Sequence, residues 1–246
     1  MSTGVEVINQ RVKEEMRFVD DVRTQMSRVI VGQQYLVDRL IIGLLTNGHL
    51  LRLERAEVRG GVLAIDLGDT TYADFLATNC NPGRRGTLAP RELANPLGTS
   101  ALVVSGDGHC ILGLRGGAVL LHQGHVHTIG GMFEAADLVD GQVDPAGSIL
   151  REIEEELGLA DADLDDLVCR GVMRDLDNLQ PELMFEARAV LTAAEIEARW
   201  QGAPSRDEHR ELVRVPDDRD AIEAFLGAGK PMAPQAWAAL ELRARP

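Results

Sequence analysis

Three glutamates lie close together within the run Arg151–Leu159. An α-helix turns about 100° per residue, so Glu152, Glu155 and Glu156 fall on one face within an arc of roughly 100°. Like charges this close repel one another and need compensation from solvent, basic neighbours or a metal ion. Carboxylates are the ligands that Mg2+ or Mn2+ prefers, and such ions bridge phosphates and activate water. Taken alone, the run is more often a solvated acidic face than a metal site.

The flanking residues favour the metal site. The sequence resembles the Nudix box, whose pattern is Gly, five residues, Glu, seven residues, Arg-Glu, an aliphatic residue, any residue, Glu-Glu, any residue, Gly, aliphatic. The second half fits position by position from Arg151 to Leu159, and Gly130-Gly131-Met132-Phe133-Glu134 resembles the glycine-rich opening. Counting from Gly131, however, Asp137 takes the place of the first glutamate. The 13 residues 138–150 then stand where the family has seven, which predicts a six-residue, solvent-exposed loop insertion that contains Asp144-Pro145.

The resemblance implies a role for each matching residue. Glu152, Glu155 and Glu156 are expected to bind Mg2+ or Mn2+, and Arg151 is expected to hold their carboxylates through charge-assisted hydrogen bonds. Gly130 and Gly131 are expected to lie against the substrate. The implied activity is hydrolysis of the diphosphate linkage in a nucleoside-diphosphate derivative.

The general base is less closely defined, because the family often takes it from a loop beyond the box. We name Glu182 as the candidate, with Glu208, Glu211 or one of the box glutamates as alternatives. Gln180 precedes Glu182 in a run, Gln180-Pro181-Glu182-Leu183, that resembles enzymes hydrolysing UDP-sugars. It is therefore a candidate for substrate binding, and a nucleotide sugar such as a UDP-sugar or ADP-ribose is the favoured substrate.

Two other motifs are weaker. His122, His125 and His127 have spacings that could converge on zinc, but we favour a substrate contact or surface histidines. The run Gly227-Ala228-Gly229-Lys230 is similar to a phosphate loop, yet Pro231 stands where Ser or Thr would bind magnesium, so we discard it.

The elements that must position these residues have recognisable ends. Asp144 followed by Pro145 predicts a helix start, and Gly158 predicts its end. Hairpins are predicted across Gly60-Gly61 and between 101–105 and 111–114, with a further strand over 183–190. Thr192 with Glu195 indicates a capping box, and helices are predicted over 217–226 and 233–243.

The composition of the chain excludes some classes of binding partner. The formal net charge of -14 would repel a nucleic acid polymer, whereas a small phosphorylated substrate can still bind through divalent cations. The three cysteines, Cys80, Cys110 and Cys169, lack the spacing of a disulfide framework, which favours a reducing cytoplasm. No stretch is long and apolar enough to span a membrane.

The front of the chain has a different character. Residues 4–46 are predicted to be helical, and 5–51 resemble the lead-in of MoxR-type AAA+ ATPases through motifs such as Val31-Gly32-Gln33-Gln34. The chain has no phosphate loop, so ATP hydrolysis is not expected there. The apolar run 35–45 needs a burial partner, either the following domain or a second copy in a homodimer.

These observations predict an α/β protein. A helical appendage over residues 1–50 is expected to precede a Nudix α/β/α sandwich with a mixed sheet over 51–246. The chain is expected to be a magnesium-dependent hydrolase. Two alternatives stay open: a regulator that binds a nucleotide without cleaving it, and an interaction module that acts through the front helices.

Overall fold

The computed structural model describes residues 48–117, 119 and 121–245. The predicted front helices, and nearly all of the segment that resembles the ATPases, lie outside these residues. The predicted boundary near residue 50 stays a prediction. In the described part of the chain, no helix is long and apolar enough to cross a membrane.

The strands begin directly after Gly48. They are β1 His49–Arg59, β2 Val62–Thr71, β3 Gly98–Val104, β4 His109–Arg115, β5 Val126–His127, β6 Ile129–Met132, β7 Leu138–Val139, β8 Gln142–Val143, β9 Leu164–Arg174, β10 Pro181–Ala189 and β11 His209–Pro216. The helices are α1 Tyr72–Ala77, α2 Pro82–Arg85, α3 Pro145–Leu157, α4 Ala193–Trp200, α5 Arg219–Gly227 and α6 Pro234–Ala244.

Strands β1 and β2 form the hairpin predicted across Gly60-Gly61. Both glycines have positive φ, 58° and 83°, which favours residues without a Cβ. The hairpin is joined to the main sheet where Leu51 N–H donates to the Phe133 carbonyl and Leu97 N–H donates to the Leu51 carbonyl. Strand β1 is therefore hydrogen-bonded to the residues that precede β3 and follow β6.

The main sheet has the order β11-β4-β3-β10-β9, with β5 paired to β4 and β6 paired to β3. Strands β3 and β10 are parallel, and the other pairs are antiparallel. The predicted hairpin between β3 and β4 is confirmed by the pairs Val103↔Ile111 and Val104↔Cys110.

Apolar side chains cover both faces of this sheet. Alternate residues of β3 and β10, such as Ala101 and Phe185, face one core with Ile149 of α3 and Ile196 of α4. The other residues face a second core with Ile222 of α5 and with α6, whose buried members are Ala236, Ala239 and Leu240. The predicted α/β/α sandwich with a mixed sheet is confirmed.

The predicted helix ends are confirmed as well. Asp144 caps α3 by accepting a hydrogen bond from Ala146 N–H, and Gly158 ends the helix in the left-handed conformation with φ of 71°. Thr192 and Glu195 form the predicted capping box of α4.

The prediction that the insertion is a loop containing Asp144-Pro145 is wrong: the six residues Leu138–Val143 form the small hairpin of β7 and β8. Asp144 and Pro145 instead cap and begin α3. The turn of the hairpin contains Asp140 and Gly141, both with positive φ. Because Leu138 pairs with Val143, the two ends of the hairpin lie side by side. The residues on either side of the hairpin are therefore close together.

Candidate active site

Helix α3 places the glutamate cluster beside the glycine-rich strand β6. Its apolar stripe of Ile149, Ile153 and Leu157 is fully buried against the sheet. Glu152 and Glu156 occupy the neighbouring part of the helix surface, where they meet Gly130 and Gly131. The amphipathic pattern of the helix is thus what aims the carboxylates at this strand.

Glu156 is buried, with 2% of its surface exposed. One carboxylate oxygen accepts a hydrogen bond from Gly130 N–H at 3.0 Å. The other lies 2.5 Å from Nε2 of His209, a ring that is itself fully buried. A buried carboxylate needs such donors because it has lost its contact with water.

Glu152 lies over Gly131. A Cβ atom at position 131 would come within 2.5 Å of the Glu152 carboxylate, so a side chain here would displace that carboxylate. Burial, together with the charges of Glu156 and Glu155, raises the pKa of Glu152 to about 8. The carboxylate therefore sits where a positive ion would lower its energy.

Arg151 connects the two halves of the box. Its Nη1 lies 2.6 Å from Oδ1 of Asp137, the residue at the position of the missing glutamate. Other nitrogens of the same guanidinium lie 3.7 Å from Glu152 and 3.9 Å from Glu155. The hairpin of β7 and β8 lies between Asp137 and Arg151 along the chain, and it does not prevent their contact because its two ends are close together.

His209 was missed by the sequence analysis. It is the first residue of β11, and its ring lies over Gly113 of β4, where any Cβ would collide with the imidazole. No spacing signal could have found it, because it lies 53 residues from Glu156 along the chain. Only the pairing of β11 with β4 brings it to the site.

Glu208, the residue before His209, is also close to the cluster. Its carboxylate lies 3.9 Å from Nη2 of Arg115, and its charge is among those that raise the pKa of Glu152. Glu211 lies further along β11 and pairs with Leu114.

Glu182 occupies the opposite face of the sheet. Alternation along β10 puts it with Met184 in the core that α6 covers, whereas Leu183 faces the core of α3. Its carboxylate accepts a hydrogen bond from Nε2 of Gln235 at 2.7 Å. Burial raises the pKa of Glu182 to about 7. Among the described residues, no hydrogen bond or ion pair joins Glu182 to the α3 glutamates.

Gln180 is buried at the start of β10, and its side-chain nitrogen would lie 3.0 Å from a Cβ at Gly98. Its backbone is fixed by Asn178, whose side chain accepts from Gln180 N–H. Gln180 thus lies on the side of β3 that Glu182 occupies.

The His122 ring lies near the rings of the other two histidines, with centroids 5.8 Å from His125 and 6.1 Å from His127. His122 pairs with the buried Asp175 at 3.3 Å. Burial lowers the pKa of His127 well below its ordinary value, which favours a neutral ring.

The fit of a divalent cation follows from donor chemistry. Hard carboxylate oxygens from Glu152, Glu155 and Glu156 share one helix surface, and their mutual repulsion raises the pKa of Glu152. Across the part of the chain that the structure describes, no group of three or more His, Cys, Asp or Glu side chains is already arranged as a metal cage. A bound ion would therefore have to draw these carboxylates together.

No protein-family model matches the chain. No curated protein matches it either. Among solved structures, it is similar to a MutT Nudix hydrolase from Burkholderia pseudomallei, with 23% identity, a TM-score of 0.40, and coverage of 59% of this chain and 95% of that one. A MutT protein from Methanosarcina mazei matches with 17% identity, a TM-score of 0.42, and coverage of 60% and 91%.

A third similar structure is a bifunctional NMN adenylyltransferase/ADP ribose pyrophosphatase from Francisella tularensis. It has 15% identity, a TM-score of 0.40, and coverage of 60% of this chain and 40% of that one. The case for function accordingly rests on the site itself.

Proposed function

We propose that this protein is a pyrophosphohydrolase of the Nudix type, which uses Mg2+ or Mn2+ to cleave the diphosphate of a nucleoside-diphosphate derivative. One observation carries the proposal: the carboxylates of α3 meet the glycine-rich strand β6 at a place where like charge and burial raise the pKa of Glu152 to about 8. Such a site favours a cation, and a diphosphate is a natural ligand of that cation.

Glu152 and Glu156 would hold the ion, with Glu155 at the exposed side of the cluster. When bound, the ion supplies positive charge that polarises the diphosphate and lowers the pKa of a water. Arg151 keeps Glu152 and Glu155 in place through its contact with Asp137.

The glycine-rich strand has its own part in the proposal. Gly130 fixes Glu156 through its N–H, and Gly131 leaves room for the carboxylate of Glu152. A strand without side chains at these positions also lets a diphosphate approach the backbone closely.

For the general base, Glu208 is better placed than Glu182. The charge of Glu208 acts on Glu152, whereas Glu182 lies on the other face of the sheet beside Gln235. The base would accept a proton from the attacking water as a nucleoside monophosphate leaves with the second phosphorylated fragment.

The substrate we favour is a nucleotide sugar, either a UDP-sugar or ADP-ribose. This choice rests on the resemblance of the run from Gln180 to Leu183. Pocket contacts decide between such substrates, so a panel of compounds is needed to choose among them.

The test incubates the purified chain and Mg2+ with UDP-sugars, ADP-ribose, dinucleotides and nucleoside triphosphates, and separates the products by ion-exchange chromatography. Glu156→Gln is expected to lower hydrolysis by at least about 100-fold, since metal catalysis contributes several kcal/mol. The matched control is Glu154→Gln, an exposed glutamate of the same helix, which should keep full activity.

A second readout does not depend on turnover. Mn2+ should raise the melting temperature of the wild type and of Glu154→Gln, and raise that of Glu156→Gln much less. Binding of nucleotides with no cleavage of any compound would instead identify a non-catalytic nucleotide-binding regulator. Cleavage by Glu156→Gln at the wild-type rate would refute the role of that residue.

A further inference from the structure

A groove of about 810 Å3 lies between β1, the segment 90–95 and the end of β9. Four arginines line it: Arg52 and Arg55 of β1, Arg91, and Arg174 of β9. Glu54 is the one carboxylate among its lining residues. The chain as a whole has a formal net charge of -14, so this local excess of positive charge is opposite in sign to the charge of the whole chain. We call it the arginine groove.

Most of this charge has no compensating anion. Arg55 is paired with Asp66, 2.7 Å from its Nε. By contrast, none of the ion pairs within the described residues involves Arg52, Arg91 or Arg174. Three guanidinium groups from separate segments thus line one groove, and an anionic ligand would compensate their charge.

Neutral oxygen atoms hold two of these side chains in place. Arg52 donates from Nη2 to the carbonyl of Arg91 at 2.9 Å, and its buried Nε has no hydrogen-bond partner in the described structure. Arg174 donates from Nη1 to the Leu179 carbonyl at 2.7 Å and to Oδ1 of Asn95 at 3.3 Å. The guanidinium groups are therefore oriented while their charge stays unneutralised, which is the preorganisation that an anion site needs.

The remaining walls are apolar. They are formed by Leu53, Ala56, Pro90, Val172, Met173 and Pro181. A groove of this volume is in the range of small-molecule sites, and apolar walls with a few convergent polar groups are typical of them. Guanidinium groups match phosphate oxygens in a two-pronged geometry that an ammonium cannot offer.

We propose that the arginine groove binds the phosphate groups of a small phosphorylated molecule, whose uncharged part lies on the apolar walls. None of the glutamates of α3 and neither glycine of β6 lines the groove. The proposal therefore stands without the proposed hydrolase activity. Two sources share this chemistry: the far end of the substrate, and a separate phosphorylated ligand.

The first experiment is calorimetric titration of the full chain with ADP and with inorganic pyrophosphate, in EDTA and at low ionic strength. EDTA removes the cations through which the α3 glutamates would bind phosphate. The wild type should bind ADP, and the double variant Arg91→Gln/Arg174→Gln should bind it at least about 10-fold more weakly, since it loses charge-assisted hydrogen bonds to the phosphates.

Two further variants keep the test decisive. Arg91→Gln changes an exposed side chain that holds no other residue, so it should fold normally and still lose affinity. Arg188→Gln, an exposed arginine of β10 outside the groove, should bind as the wild type does. Absence of binding by the wild type, or an equal loss in Arg188→Gln, would overturn the proposal.

Kinetics then separates the two sources. If the groove holds the far end of the substrate, Arg91→Gln should raise KM and leave kcat nearly unchanged. If it holds a separate ligand, Arg91→Gln should lose ADP binding in EDTA while its KM stays at the wild-type value. Binding of ADP by a wild type that hydrolyses none of the tested compounds would leave the groove standing and remove the hydrolase proposal.

Discussion

Replacing Glu182 with glutamine should stabilise the fold in neutral and alkaline solution and leave it nearly unchanged in acid. Burial raises the pKa of this carboxyl from 4.5 to about 7 in the folded protein. Glutamine has the same shape and no charge. The variant therefore removes the cost of burying an anion without removing the side chain.

The sign follows from proton binding. The unfolded chain releases the Glu182 proton near 4.5, whereas the folded chain keeps it until about 7. Between these values the folded state holds the additional proton, so the free energy of unfolding of the wild type falls as pH rises. The stability that comes from the additional proton is fully present below pH 4.5 and is lost above about pH 7, where the buried carboxylate is charged. A glutamine at this position has no such dependence on pH.

The magnitude follows from the same two values. At about 1.4 kcal/mol per pH unit, the interval between 4.5 and about 7 corresponds to ~3 kcal/mol. The amide also has a partner available, because Oε1 of Gln235 is buried without a hydrogen bond. A rotated Gln235 amide can accept from a glutamine at 182.

The assay is urea unfolding followed by circular dichroism, in EDTA, at several pH values between about 4 and about 9. Glu186→Gln is the matched contrast, because Glu186 lies on the same strand face but forms ion pairs with Arg170 and Arg243. That variant should lose stability. A Glu182→Gln protein that is less stable than the wild type at about pH 9, or whose gain persists at about pH 4, would refute the reasoning.

Three further substitutions, at two positions, examine how the α3 glutamates are held. Gly131→Ala places a methyl group against the Glu152 carboxylate, so Mn2+ affinity should fall by at least about 10-fold in a titration, and an unchanged affinity would contradict the contact. His209→Gln keeps a donor for Glu156, whereas His209→Ala leaves a buried carboxylate with one partner fewer. The alanine variant should lose about 1 to 3 kcal/mol of stability in urea unfolding and the glutamine variant less, and equal losses would show that ring packing dominates.

Local signals predicted the elements well. Asp144, Pro145 and Gly158 fix the ends of α3 through hydrogen bonds and backbone conformation that depend on neighbouring residues alone. Glycine pairs and turn residues likewise locate the hairpins of β1 with β2 and β3 with β4. Such features can be read from sequence because their causes span only a few residues.

The assembled site could be predicted only in part. The glutamates of α3 share a face by helical geometry, and the alternation along β10 would have separated Glu182 from them once the core face was known. His209 and Gln235 depend on which strands and helices become neighbours across the sheet. The parallel pairing of β3 with β10 is long-range information that no local pattern carries.

The small hairpin of β7 and β8 increases the distance between two residues along the chain without increasing their distance in space. Counted along the chain, Asp137 and Arg151 are further apart than the Nudix spacing allows, yet their side chains meet at 2.6 Å. Residues 138–143 between them form a hairpin that begins and ends at nearly the same point, because Leu138 pairs with Val143. A pattern of fixed spacing does not match this stretch of the chain, although Arg151 and Asp137 are in contact. Gapped patterns that permit a closed excursion at this point would recover chains built in the same way.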